Sequence, residues 1–147
     1  MQILLENEHW TITRHPSRPL YIVLRTGVGY ARLEQIEPSF QALEAALDAH
    51  GRRGIALLID MRVAIARNDP EFEHASTTHP GRFARGFTRA ATLVRSAAGL
   101  LQTQRYFRER GANIEVFADE PAALAYLAGA PLPQDAASAP STRRRGP

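Results

Sequence analysis

Residues 55–60 read Ile55-Ala56-Leu57-Leu58-Ile59-Asp60, five apolar side chains in an unbroken row closed by a carboxylate. A strand with one wet face alternates apolar and polar residues, so a continuous run of this length fits a strand covered on both faces, as in a parallel sheet. Ala90-Ala91-Thr92-Leu93-Val94 reads as a second buried strand, and Ile114-Glu115-Val116-Phe117 supplies the last strand. The segments between them carry helical spacing. Phe40, Leu43 and Leu47 recur at i, i+3 and i+7 behind Pro38 and stop at Gly51. A helix over 97–110 turns Leu100, Leu101 and Phe107 inward and ends before Gly111, and a last helix runs from an Asp119 cap through Leu124 and Leu127 to Gly129.

Between the first two buried strands, Asn68-Asp69-Pro70 marks another helix start, with Asp69 as N-cap and Pro70 at the first helical position. That helix is predicted to end before His79-Pro80-Gly81, leaving 82–88 as an irregular or weakly helical link. Upstream, Trp10-Thr11-Ile12-Thr13 and Leu20-Tyr21-Ile22-Val23-Leu24 flank a turn containing Pro16 and Pro19, which predicts a β-hairpin. The resulting order is β-β-α-β-α-β-α-β-α. Repeated strand–helix–strand units require right-handed crossovers, so the fold class is α/β: a mostly parallel five-stranded sheet with an N-terminal β-hairpin and four helices.

A length of 147 residues suits one domain. With 44% hydrophobic and 22% charged residues, the composition argues against both a disordered chain and a membrane protein. The absence of cysteine excludes disulfides, thiolate metal sites and cysteine nucleophiles. The start, MQILLENEHW, has two glutamates and no basic residue, unlike a signal peptide, and no apolar run nears the ~20 residues that span a bilayer. A cytoplasmic protein without an integral membrane segment is expected. Residues 131–147 are rich in proline, alanine and serine and end in an arginine cluster; they are predicted to form a flexible tail behind a domain at 1–130.

The sequence pI of about 9.9 invites a nucleic-acid reading, but the charge distribution argues against one. All 18 basic residues are arginines, and three of them, Arg143, Arg144 and Arg145, lie in the tail with only Asp135 opposing them. Residues 1–130 are left with 15 arginines against 14 acids, whereas a phosphate-tracking surface needs clustered positive charge.

In open α/β sheets, ligands and partners collect beyond the carboxyl ends of the parallel strands. The predicted order brings the loops 60–69, 95–99 and 118–121 to that edge. The candidate binding residues there are Asp60, Arg62, Arg67, Asn68, Asp69, Arg95 and Ser96, and the third loop adds Asp119 and Glu120. Arginines and helix N–H groups at such an edge suit a phosphate or carboxylate. The competing reading is structural, with Asp69 and Asp119 as helix caps and Asp60–Arg62 as an ion pair. The histidines show no metal-ligand spacing: His74 and His79 are five apart and point away from one another on a helix, so surface roles are expected. Gly27-Val28-Gly29 is an incomplete dinucleotide fingerprint, and no serine has a G-x-S-x-G setting. No cofactor, metal or catalytic residue is predicted, and so no enzyme.

The segments IALLIDMR (55–62), TRAATLVRS (88–96) with the AAGLLQTQRYFRERG that follows, and IEVFADEPAALAYL (114–127) resemble STAS domains, in particular the SpoIIAA-like or STAS/SEC14-like branch. The family includes bacterial anti-sigma-factor antagonists. The resemblance implies a regulatory, non-enzymatic module with a protein partner, no nucleic acid, and homo-oligomerisation left open. Its SEC14-like side implies the alternative of a small-ligand or lipid-binding domain. Signalling members carry a phosphorylated serine at the start of the helix after the third strand. Here that stretch reads Arg67-Asn68-Asp69-Pro70, with no serine or threonine between Asp60 and Ala75, so Asp69 occupies the position as a fixed negative charge or as an ordinary cap.

Overall fold

A computed structural model describes residues 1–64 and 79–132. Its strands are β1 (Gln2–Glu6), β2 (Trp10–Arg14), β3 (Leu20–Arg25), β4 (Ala56–Asp60), β5 (Ala90–Leu93) and β6 (Glu115–Phe117). They lie side by side in sequence order in one sheet. The pairs β1/β2 and β2/β3 are antiparallel, whereas β3/β4, β4/β5 and β5/β6 are parallel. The described helices are α1 (Ile36–His50), α2 (His79–Ala84), α3 (Ala97–Glu109) and α4 (Glu120–Leu127).

The sheet is therefore mixed and six-stranded, not the five-stranded, mostly parallel sheet expected from the sequence. The addition is β1, and its pattern explains why it escaped notice. Ile3 pairs with Thr13 and Leu5 with Ile12, so Leu4 is an extra residue in a bulge. A bulge breaks the two-residue alternation that identifies a half-buried strand.

The parallel strands behave as their sequence requires. Alternate residues of β4 enter different cores, Leu57 and Ile59 on one face and Ala56 and Leu58 on the other. The first core also takes Trp10, Val23, Leu43, Leu47 and Phe107 beneath α1, α2 and α3. The second lies beneath α4, which brings Ala123 and Leu127 onto Leu20, Ala91, Leu93 and Phe117. Leu132 also packs there, just past the boundary placed at Ala130.

Two further expectations need correction. Leu101 does not face the core: it is 67% exposed, and Leu100 and Phe107 carry the inner face of α3. The link at 82–88 begins inside α2, because Phe83 is buried and stacks on Phe40 at 6.0 Å between centroids. Arg52 secures this short helix. Its Nη1 donates to the carbonyls of Arg82, Phe83 and Arg85 at 3.0, 3.1 and 2.8 Å, serving acceptors that a helix end leaves without partners. The helix predicted from Asp69 falls on residues 65–78 and lies outside the described residues.

Candidate functional site

The parallel strands β3, β4, β5 and β6 end at Arg25, Asp60, Leu93 and Phe117, so the loops that follow them share one edge of the sheet. The β1–β2 turn reaches the same edge, because β2 runs antiparallel to β3 and pairs Trp10 with Arg25. Backbone bonds continue past the strands: Met61 N–H donates to Leu93 O and Val94 N–H to Phe117 O, at 2.9 and 2.8 Å. These bonds hold the loop bases in register.

Asp60 and Arg62 form a compact unit at the end of β4. Asp60 Oδ1 accepts from the Arg62 backbone N–H at 3.1 Å and from Nε at 3.0 Å, while Oδ2 accepts from Nη2 at 2.9 Å. Two parallel bonds from one guanidinium to one carboxylate are among the stronger polar contacts in proteins. The same Nη2 lies 3.1 Å from Glu120 Oε1, at the start of α4. Arg95, exposed after β5, donates from Nη1 to Arg62 O at 3.2 Å. Arg62 thus ties together the loops that follow β4, β5 and β6.

Side-chain exposure falls from 47% at Glu120 and 42% at Arg62 to 13% at Asp60. Burial alone would raise the Asp60 carboxyl, but the Arg62 hydrogen bonds and positive charge outweigh it and hold the group below its ordinary value. The hydrogen bond to Asp60 in turn holds the Arg62 guanidinium above its own. Both stay charged at neutral pH.

Of the residues expected at the site, Asp60, Arg62 and Arg95 come together. Ser96 follows directly but spends its hydroxyl oxygen on capping α3, accepting from Gly99 N–H at 3.1 Å. Asp119 likewise caps α4 through Ala122 N–H at 2.9 Å. Arg67, Asn68 and Asp69 lie outside the described residues. Glu120, which the sequence placed on the third loop of the same edge, is the second carboxylate paired with Arg62 among the described residues.

A second polar cluster was not anticipated. Arg25 is only 7% exposed, and its Nη1 donates to the carbonyls of His9, Thr26 and Val28 at 3.2, 3.2 and 2.9 Å. Its guanidinium lies 4.6 Å from the Tyr30 ring centre and 5.5 Å from that of Trp10. Trp10 Nε1 donates to Ser39 Oγ at 2.8 Å, and the Tyr30 hydroxyl lies 2.7 Å from the same oxygen. His9, expected at the surface, is buried with its ring 4.3 Å from Tyr30. Desolvation lowers the pKa of Arg25 and raises that of Tyr30. The signal in the sequence was the alternation Tyr21, Val23, Arg25, which puts Arg25 on the inner face if the strand continues past Leu24.

This cluster fixes the loop between β3 and α1. A Cβ added to Gly27 would meet Val63 O at 3.5 Å, so this loop lies against the one after β4. Each loop exposes one valine, Val28 at 46% and Val63 at 54%. The edge combines fixed charges with exposed apolar side chains. Among the described residues there is no group of three or more metal-ligating side chains, and no helix is long and apolar enough to cross a membrane.

No protein-family model matches the chain, and no curated protein does. Among solved structures, the chain is similar to an uncharacterized protein of the DUF3478 family from Shewanella loihica PV-4, described as having a SpoIIAA-like fold. The two share 21% identity over 84% of this chain and 98% of the other, with a TM-score of 0.52. At that identity the likeness concerns architecture, and with the strand order above it gives the chain a SpoIIAA-like α/β fold.

Proposed function

We propose that the chain is a non-enzymatic regulatory or protein-interaction module that binds a protein partner at the carboxyl edge of its parallel strands. The observation that carries this reading is Arg62, held between Asp60 and Glu120 while its carbonyl accepts from Arg95. Charged groups fixed before binding lose little conformational freedom on contact, and exposed valines beside them add apolar area. The state of Asp60 supports binding over catalysis. A general acid or base needs a pKa near the working pH, whereas Asp60 is held ionised with both oxygens engaged by Arg62. The chain would act in the cytoplasm without a cofactor. By sequence, Arg67, Asn68 and Asp69 extend the same loop, and the carboxylate of Asp69 would stand where signalling members carry their regulatory serine.

Affinity capture with the wild-type chain and three variants tests the proposal. Arg62→Ala and Arg95→Ala remove charge from the proposed edge, while Arg53→Ala removes an exposed arginine just before β4, at the opposite edge. A protein retained by wild type and Arg53→Ala but lost by the other two supports the assignment. Equal retention by all four chains removes recognition from this edge.

A further inference from the structure

Among the described residues, the two faces of the sheet are covered unequally. The face carrying Trp10, Val23 and Leu57 has three of the described helices over it, whereas the face carrying Leu20, Leu58 and Leu93 has the eight-residue α4, which packs over β4, β5 and β6. Beside α4, where β3 and β4 begin, the surface opens into a groove of about 290 Å³. Pro19, Leu20, Ala56, Leu124, Leu127 and Ala128 give it an apolar lining, and Arg18 is its one charged residue. The groove lies at the amino ends of the parallel strands, away from Arg62 and Arg95.

We propose that this groove binds a small linear amphiphile carrying one carboxylate, with the hydrocarbon chain along Leu20, Leu124 and Leu127 and the carboxylate on Arg18. Three observations select that class. The volume is at the small end for ligand sites; with a methylene occupying about the space of a water molecule, roughly 30 Å³, it holds a chain of roughly ten heavy atoms. The lining contains no acid and a single base, which matches one negative charge and no positive one. Arg18 is exposed, and its guanidinium has no hydrogen-bond or ion-pair partner among the described residues, unlike Arg25, Arg52, Arg62 and Arg89. Its fork of donors suits a carboxylate. Arg18 is also well placed: His15 Nδ1 accepts from the backbone N–H groups of Ser17 and Arg18 at 3.2 Å each, and Leu20 N–H donates to Arg18 O at 2.8 Å, so the turn that carries it is braced.

Calorimetric titration of the full chain with decanoate, below its micelle concentration, and with decanol tests the site. Decanoate should bind once per chain and saturate, and decanol about tenfold more weakly, since it keeps the chain and loses the charge-assisted bonds. Arg18→Ala should bring decanoate down to the decanol level and leave decanol unchanged. Ala128→Trp, a substitution at an exposed position lining the groove, should remove both without lowering the melting temperature. The proposal is overturned if decanoate does not saturate, if decanol binds as tightly, or if either substitution leaves decanoate binding intact. It stands apart from the interaction edge, because neither substitution touches Arg62 or Arg95.

Discussion

Arg62 Nη2 sits 3.1 Å from Glu120 Oε1, joining the loop after β4 to the start of α4 although β5 lies between β4 and β6. With the two bonds from Arg62 to Asp60, the contact spans three of the four parallel strands, from β4 to β6. The shape of this edge is therefore set by ion pairing as well as by the ladder beneath it.

Asp60→Asn tests how much that pairing contributes. Hydrogen bonds to charged groups are worth about 1.5–3 kcal/mol, and the amide keeps a weaker acceptor, so we expect a loss of about 1–2 kcal/mol at neutral pH. The pH dependence follows from the lowered carboxyl. Above its ordinary value of 3.8 the group is ionised in folded and unfolded chains alike, and its full contribution is present. As pH falls through the folded value, the carboxylate takes up a proton and the contribution disappears. Urea midpoints of wild type and Asp60→Asn should therefore converge on acidification below about pH 4. A gap that stays constant with pH would mean that the carboxylate charge contributes nothing.

Ser39→Ala probes the buried cluster. Ser39 is 8% exposed, and its oxygen receives the Trp10 indole N–H. Removing it leaves a buried donor without this acceptor, for which about 1–3 kcal/mol is expected. Denaturant midpoints decide, and a loss under about 0.5 kcal/mol would show that the indole N–H finds another partner.

What the sequence revealed and what it hid divide along physical lines. The apolar run at 55–59 and the largely apolar runs at 90–94 and 114–117 became neighbouring parallel strands, as suits short stretches covered on both faces. The cap at Asp119 was equally legible, because a short side chain and local backbone geometry suffice there, whereas Ser96, read as a binding residue, caps α3 instead. β1 was hidden because the bulge at Leu4 destroys its alternation. Arg25 and His9 were hidden because their burial depends on partners distant in sequence, Tyr30 and Trp10 among them, that make a polar side chain tolerable inside. At the candidate site, the sequence brought Asp60, Arg62 and Arg95 to one edge. It could not tell that Glu120 would reach Arg62 while Asp119 turned to its own helix.

Leu58→Ala tests the second core. Leu58 is 3% exposed in the middle of β4, beneath α4 and beside Ala91 in the neighbouring strand. Large-to-alanine changes at such positions cost about 2–5 kcal/mol, from lost transfer energy and the cavity left behind. A loss below about 1 kcal/mol in denaturant unfolding would mean that α4 does not close this face in solution.

Tyr30 should make the protein sensitive to base. It is 8% exposed, and burial raises its phenol above the ordinary 10.0, outweighing the opposing effects of the Ser39 hydrogen bond and the Arg25 charge. Below that ordinary value both folded and unfolded chains keep the proton, and pH has no effect through this group. Above it the unfolded chain releases the proton while the folded chain retains it, so stability falls as pH rises from the unfolded value towards the folded one. Tyr30→Phe loses the hydroxyl's contact with Ser39 and should be less stable at neutral pH by about 1 kcal/mol. Having no phenol to ionise, the variant should lose less stability than wild type between about pH 9 and about pH 11. Urea unfolding across that range measures both slopes. Parallel slopes would show that Tyr30 titrates alike in the folded and unfolded chains, and that burial beside Arg25 does not hold its proton.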